Sequence, residues 1–481
     1  MNPSRVNELT RREFLTRSVN LSIAGSAMPF ALNLAAMGEA AAFSATDYKA
    51  LVCVFLFGGN DDASTLIPYD PLSHGKYVAI RGASTNSTFI VPRAELASAV
   101  LRPTQPLANG REYALHPNMS RLASLFNSGK AAVQLNVGPL VMPITRAQYD
   151  SGNTVLYPLP PKLFSHNDQQ SVWQSSAAEG TTEGWGGLIG DLALSSNGSG
   201  SVFTCVSVTG NTVFLAGRSA GQYQCSTGGP IVINASRGSL FDSVARQTFV
   251  DLMQKSSADT LENEYAKVVR RSIESEKRLS EALSGSAVST VFPETHLARQ
   301  LKMVARQIGA RNSLGLKRQV FMVSIGGFDL HDQLPTRQPA LLREVSDAIA
   351  AFYEATLELG IADKVTTFTA SDFGRALTPN GDGTDHGWGA HHFVVGGAVR
   401  GAKFYGAPPP VSTADTAAPE DQWHVGQGRL LPSTSVDQYA ATLASWFGVG
   451  ESELGGLLPN LRNFGAGSPL PGYPRDLGFL V

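Results

Sequence analysis

The run Lys49 to Phe57 (KALVCVFLF) constrains this chain more than any other feature. A strand covered on one face alternates apolar and polar residues, whereas a run that is apolar throughout must be buried on both faces. Gly58-Gly59 follows and fits a tight turn. Further strands are predicted at Ala131 to Val137, closed by Gly138-Pro139, and at Val202 to Val208, Gln319 to Ile325, Lys364 to Ala370 and Phe393 to Val395. Helical spacing marks Met119 to Phe126, with Asn118 placed as its N-cap, then Ala340 to Leu359 and Val436 to Phe447. Phe241 to Leu283 holds no Gly or Pro and reads as one or two long amphipathic helices; Pro293 opens another, to about Ala310. Strands alternating with helices predict an α/β fold with a mainly parallel central sheet and helices on both faces. Residues 43–481 read as one such domain, with a helical insertion around 241–310. The one low-complexity tract is the Ala/Thr/Pro-rich loop from Pro408 to Pro419.

The first 42 residues carry a different message. Arg5 and Thr10-Arg11-Arg12-Glu13-Phe14-Leu15 match a twin-arginine signal. The apolar stretch from Leu21 to Ala36 is interrupted by Gly25, Pro29 and Asn33. It falls short of the roughly 20 residues that span a bilayer. Ala40-Ala41-Ala42 supplies a cleavage site, so residues 1–42 read as a signal peptide. A retained amphipathic helix or an uncleaved anchor are the competing readings. The expected location is periplasmic or secreted, with the twin-arginine translocase as partner during export and no membrane span after cleavage. That route moves folded proteins, so a cofactor can be loaded beforehand.

With 38 basic and 40 acidic residues the net charge is −2, which gives no electrostatic basis for nucleic-acid binding. Cys53 lies in an apolar run and reads as a buried thiol, while Cys205 and Cys225 are left open between a disulfide and two free thiols.

In an open α/β sheet, ligands gather beyond the C-terminal strand ends. Here those ends carry acids and imidazoles: Gly58-Gly59-Asn60-Asp61-Asp62, Gly326-Gly327-Phe328-Asp329-Leu330-His331-Asp332 and Ser371-Asp372-Phe373-Gly374-Arg375. The following loop adds Asp385, His386, His391 and His392. Carboxylates mixed with imidazoles, without cysteine, suit zinc, manganese or iron. Each fragment alone has an ordinary explanation as a turn, a loop hydrogen bond or surface polarity. Their shared placement at strand ends favours a metal site.

These motifs, together with Pro68-Tyr69, Ser165-His166, Gly184-Trp185, Gly383-Thr384-Asp385-His386-Gly387-Trp388-Gly389 and Gly428-Arg429-Leu430-Leu431-Pro432, resemble the bacterial family catalogued as domain of unknown function 1501. That resemblance implies the alkaline phosphatase-like, sulfatase-like superfamily. It implies one or two divalent ions at the strand ends, zinc first, with manganese, iron or calcium as alternatives. Asp61 is then similar to the acid of one metal, Asp329 and His331 to the Asp/His pair of the other. Asp372 takes the strand end, and Asp385, His386, His391 or His392 complete a site. Phe373 departs from the pattern, standing where a histidine would follow Asp372. Ser165 is the candidate nucleophile, with Ser64 or Thr65 as alternatives and a helix N-cap as its structural role. Arg375 is the candidate clamp for an anionic substrate, or else the partner of Asp372 in a salt bridge.

The expected function is an exported metal-dependent hydrolase acting on a small anionic phosphate or sulfate ester. The alternative is a non-catalytic exported scaffold that retains the fold and assembles with another exported protein. An oxidoreductase finds no nucleotide fingerprint or haem motif in the chain.

Overall fold

The computed structural model describes residues 45–83, 89–232, 242–255 and 257–481; the expected leader and its cleavage site lie outside them. The apolar run at the start of this region forms β1, Lys49–Leu56. Its side chains alternate between two cores: Ala50, Val52, Val54 and Leu56 join one, and Leu51, Cys53 and Phe55 the other. This explains the unbroken apolar pattern, since each side of the pleat meets its own helix layer.

The main strands after it are β2 (Ala131–Gly138), β3 (Cys205–Ser207), β4 (Gln222–Ser226), β5 (Arg318–Ile325), β6 (Val365–Ser371) and β7 (Ala390–Gly396). They belong to one ten-stranded sheet, in spatial order Phe404–Tyr405, β2, β7, β6, β1, β5, β3, β4, Gly229–Pro230, with Thr434–Ser435 also pairing with β2. Strand β1 runs parallel to both central neighbours, with Val52 opposite Phe321 and Thr367. Strand β7 is antiparallel to β2 and β6. The sheet is therefore mixed but mainly parallel.

The principal helices are α1 (Pro71–Arg81), α2 (Ser120–Asn127), α3 (His166–Ser175), α4 (Trp185–Asn197), α5 (Ser243–Met253), α6 (Thr260–Ser284), α7 (His296–Gly309), α8 (Leu334–Glu358) and α9 (Val436–Phe447). Residues of α2, α6, α7 and α8 fill the first core, and residues of α3, α4 and α9 the second. The helical stretch expected as an insertion is not uniform. Helix α5 buries no residue, whereas α7 buries Leu297, Leu301, Val304 and Ile308 completely. Each such leucine contributes about 1.5–3 kcal/mol on removal from water.

Three local expectations change. Asn118 does not cap α2; its amide donates to Pro339 O at 2.8 Å, and the chain enters the helix through a short 3₁₀ turn, Pro117–Met119. Helix α8 starts at Leu334, not after Pro339. A proline that early forfeits one ladder bond, and the first turn is held by Gln338, whose amide donates to Asn60 Oδ1 (3.1 Å) and Asp61 O (2.9 Å). Strand β3 is shorter than the predicted Val202 to Val208, because a 3₁₀ turn takes Gly198–Phe203.

Cys205 and Cys225 are free. They lie on adjacent strands but pack into different cores, so their side chains point to opposite faces of the sheet. Burial pushes the Cys225 thiol up to about 12. A reducing agent is therefore expected to leave the melting temperature unchanged. Iodoacetamide is expected to label all three cysteines only after unfolding, which mass spectrometry reads directly.

Candidate metal centre

Strands β6, β1 and β5 are neighbours and parallel, so the loops after them emerge side by side. The loops touch closely: a Cβ on Gly58 (φ +114°) would lie 2.3 Å from Asp329 N, which only glycine avoids. Arg375 stitches this edge together. Its Nε donates to Gly59 O (2.7 Å) and its Nη2 to Gly58 O (2.8 Å) and to Asp329 Oδ1; Nη1 donates to Thr384 O. The Arg375 side chain has no exposed surface and every nitrogen is engaged. Of its two expected roles it fills the structural one, paired with Asp329 and not with Asp372. It is not a free clamp for substrate.

Asp372 is fully buried. Its Oδ1 accepts from Gly58 N (3.2 Å), and its Oδ2 accepts from Gln170 Nε2 (2.8 Å) and meets His166 Nδ1 at 2.6 Å. Only a protonated Nδ1 can donate to this carboxylate, so His166 presents Nε2 as the free nitrogen. That atom is buried, has no hydrogen-bond partner and lies 3.4 Å from Asp329 Oδ2. His386 is set the same way: its Nδ1 lies 2.7 Å from Phe164 O, leaving Nε2 3.3 Å from Asp329 Oδ1. Phe164 holds that carbonyl in place with a left-handed backbone (φ 71°), which is costly for an aromatic residue.

His166, Asp329 and His386 each offer one ligand atom, all within 4.8 Å of one another. His331 stands beside them, with Nε2 2.8 Å from His386 Nε2 and 3.1 Å from Asp329 Oδ1. Two imidazole nitrogens and a carboxylate oxygen converge here, with the histidine tautomers fixed by outer hydrogen bonds. This donor set fits a divalent metal ion. The hydrogen bond to Asp372 raises the His166 pKa against the effect of burial, while burial lowers that of His386. At Asp329 burial acts upwards, but the hydrogen bond and charge of Arg375 prevail and hold the carboxyl below its ordinary range.

The other expected ligands are placed differently. Asp61 is buried in a two-point pair with Arg81 (2.8 and 2.9 Å) and accepts from Ser64 Oγ (2.7 Å), so its oxygens are spent away from the cluster. Asp385 lies at the rim, bonded to Asn380 (2.6 Å) and 3.9 Å from His331 Nδ1. His391 and His392 are buried in β7: His391 Nδ1 accepts from Asn136 N (3.0 Å), and His392 Nδ1 meets Thr369 Oγ1 (3.3 Å). Burial pushes both imidazoles down to about 3, so they stay neutral. Phe373 packs against both histidines, its ring 4.8 Å from that of His166 and 4.5 Å from that of His386. The histidine that serves Asp372 is thus His166, 206 residues away in sequence. The Ser165-His166 dipeptide was its only sequence signal, and the pairing is a product of the fold.

The family described as "Protein of unknown function (DUF1501)" matches residues 48–449. The chain belongs to this family. No curated protein matches this DUF1501 member. Among solved structures it is similar to one titled Ps i-CgsB in complex with k-i-k-neocarrahexaose, with 10% identity, a TM-score of 0.35, and coverage of 86% of this chain and 74% of that one. A second, titled as a Bacteroides thetaiotaomicron structure from work on metabolism of multiple glycosaminoglycans (BT33494S-sulf), shows 10% identity, a TM-score of 0.33, and 84% and 74% coverage. At such TM-scores the likeness carries no argument.

Two outcomes are expected of this DUF1501 protein. Arg81→Ala removes the guanidinium that pairs with the buried Asp61 carboxylate. It should cost about 3–5 kcal/mol in chemical denaturation without changing metal content. Asp372→Asn removes the carboxylate that orients His166 and should weaken metal affinity by about 10–100-fold in competition with a chelator.

Proposed function

We propose that the chain is an exported metal-dependent hydrolase of alkaline phosphatase-like architecture, acting on a phosphate or sulfate ester. The observation that carries this reading is the orphaned Nε2 of buried-side His166, converging with His386 Nε2 on Asp329 at the strand ends. A divalent ion held by His166, Asp329, His386 and the adjacent His331 would polarise a phosphoryl or sulfuryl oxygen; zinc suits the donors best, with manganese, iron or calcium as alternatives.

The chain's own groups supply the rest. Asp372 and the Phe164 carbonyl keep both imidazoles in the tautomer that faces the site. Arg375 holds the Asp329 carboxylate in place from beneath. Ser165 precedes α3, where free backbone amides favour an anion. Its side chain makes no cap bond; the hydroxyl donates instead to Asp168 Oδ2 at 2.8 Å, so a proton acceptor is already in place. Ser165 is therefore retained as candidate nucleophile. The twin-arginine motif makes the protein periplasmic or secreted, exported after the metal is loaded.

The second reading, a scaffold for another exported protein, draws on one observation. Asp61 is locked by Arg81 and Arg375 is fully engaged, so the edge offers one metal-ready cluster among the described residues and no free arginine clamp.

Elemental analysis of protein purified after native export is expected to show a stoichiometric divalent metal that is lost in His166→Ala/His386→Ala. The metal-loaded protein should turn over p-nitrophenyl phosphate or sulfate, and Ser165→Ala should lower kcat by at least about 100-fold. Bound metal with no turnover across an ester panel would favour the scaffold. Absence of metal from the natively exported protein would remove the hydrolase reading.

A further inference from the structure

The strand edge keeps no guanidinium in reserve for an anion, but loop 425–430 does. That loop lies along the segment carrying His386: Gly389 N donates to Leu430 O (3.0 Å), and Arg429 Nε donates to His386 O (2.7 Å). The guanidinium stands over the ring of Phe164, its Cζ 5.5 Å from the ring centre. Phe164 is the residue whose carbonyl meets His386 Nδ1, and Ser165 and His166 follow it in the chain. Arg429 is thereby held against both segments, by a hydrogen bond on one and a cation–π contact on the other.

Its other donors are unspent. Neither Nη1 nor Nη2 makes a hydrogen bond among the described residues, and neither is shut off from solvent. The one ion pair of Arg429, from Nη2 to Asp385 Oδ2, spans 3.8 Å. At that distance the carboxylate attracts the guanidinium without taking an N–H. The Arg429 side chain is 23% exposed, whereas that of Arg375 has no exposed surface.

The loop holds this pose rigidly. Gly426, Gln427 and Gly428 all have left-handed backbones, with φ of 91°, 53° and 71°. Gln427 takes up that conformation without a glycine's freedom, and strain of this kind gathers at ligand clamps. Arg429 N donates to Gly426 O and Val425 N to Arg429 O (both 2.9 Å), which closes the turn; Thr378 N donates to Gln427 O (3.1 Å), which ties it down. A guanidinium fixed in advance binds a ligand without the entropic cost of ordering a long side chain.

We propose that Arg429 binds the anionic oxygens of the ester substrate beside the metal centre. The inference rests on the hydrolase reading and deepens it. Two nitrogens in a planar fork match two oxygens of a phosphate or sulfate group, and the pairing is charge-assisted.

The test is isothermal titration of the natively exported full chain with inorganic phosphate and with inorganic sulfate. Metal content and chelator competition are measured on the same samples. At least one anion is expected to bind, and Arg429→Gln should weaken it about tenfold or more while leaving metal affinity within about twofold of wild type. Arg429→Lys keeps the charge but not the fork and should fall between them; should Arg429→Gln unfold, it carries the test. A parallel loss of metal affinity would mean that Arg429 only props His386, and overturns the inference. So does a metal-bearing wild type that binds neither anion, or one whose anion affinity survives Arg429→Gln; both leave the hydrolase reading standing. A wild type exported without metal fails the hydrolase reading itself, and this inference with it.

Discussion

Arg375 sits fully buried beneath the sheet's working edge and donates to three separate pieces of chain. Its partners are the backbone after β1 (Gly58 and Gly59), the Asp329 carboxylate after β5, and Thr384 in the hairpin that follows β6. A charged group in a dry interior is tolerable only when every donor is met and a counter-charge lies within contact, and both conditions hold. The consequence is geometric. Loops that would otherwise move independently are fixed relative to one another, and the two glycines are required because the loops are drawn so close.

The histidines build on that frame. His166 and His386 are each held from behind by an acceptor on Nδ1: the Asp372 carboxylate for His166, the Phe164 carbonyl for His386. The choice of tautomer is thereby made before any ligand arrives, and Nε2 is the only nitrogen left to act. Phe373, packed against both rings, which also touch each other edge-on, presents a flat apolar wall. It supports their orientation without competing for a ligand.

The neighbouring Asp61–Arg81 pair shows the opposite use of a strand-end acid. Asp61 follows β1 directly, as a ligand would, yet its carboxylate is turned away from the cluster and consumed by a guanidinium one helix away. Asp62, next in the chain, is also buried. Burial and the charge of Asp61 push its carboxyl up to about 8, so it is protonated at neutral pH. Two adjacent acids thus meet two different surroundings: Asp61 is paired with a guanidinium, while burial pushes Asp62 towards its neutral form.

Much of the architecture was legible from the chain itself. Runs such as KALVCVFLF and AAVQLNV lack the strict apolar/polar alternation of a half-exposed strand, and a strand of that kind has to lie between two helix layers. The α/β class and the central strands follow from that local rule, and Val436–Phe447 follows from helical spacing, whereas the short strand Gln222–Ser226 was not foreseen. Asp329, His331, Asp372 and His386 were also marked, because strand ends carrying acid and imidazole can be read from spacing alone. Other features were decided by tertiary structure. His166 meets Asp372 across 206 residues, Arg375 pairs with Asp329 and not with Asp372, and Cys205 and Cys225 face opposite sides of the sheet. Sequence periodicity fixes which residues must be buried, since burial depends on local pattern. Which buried donor meets which acceptor depends on strand order and loop closure, and those are settled only when distant segments pack together.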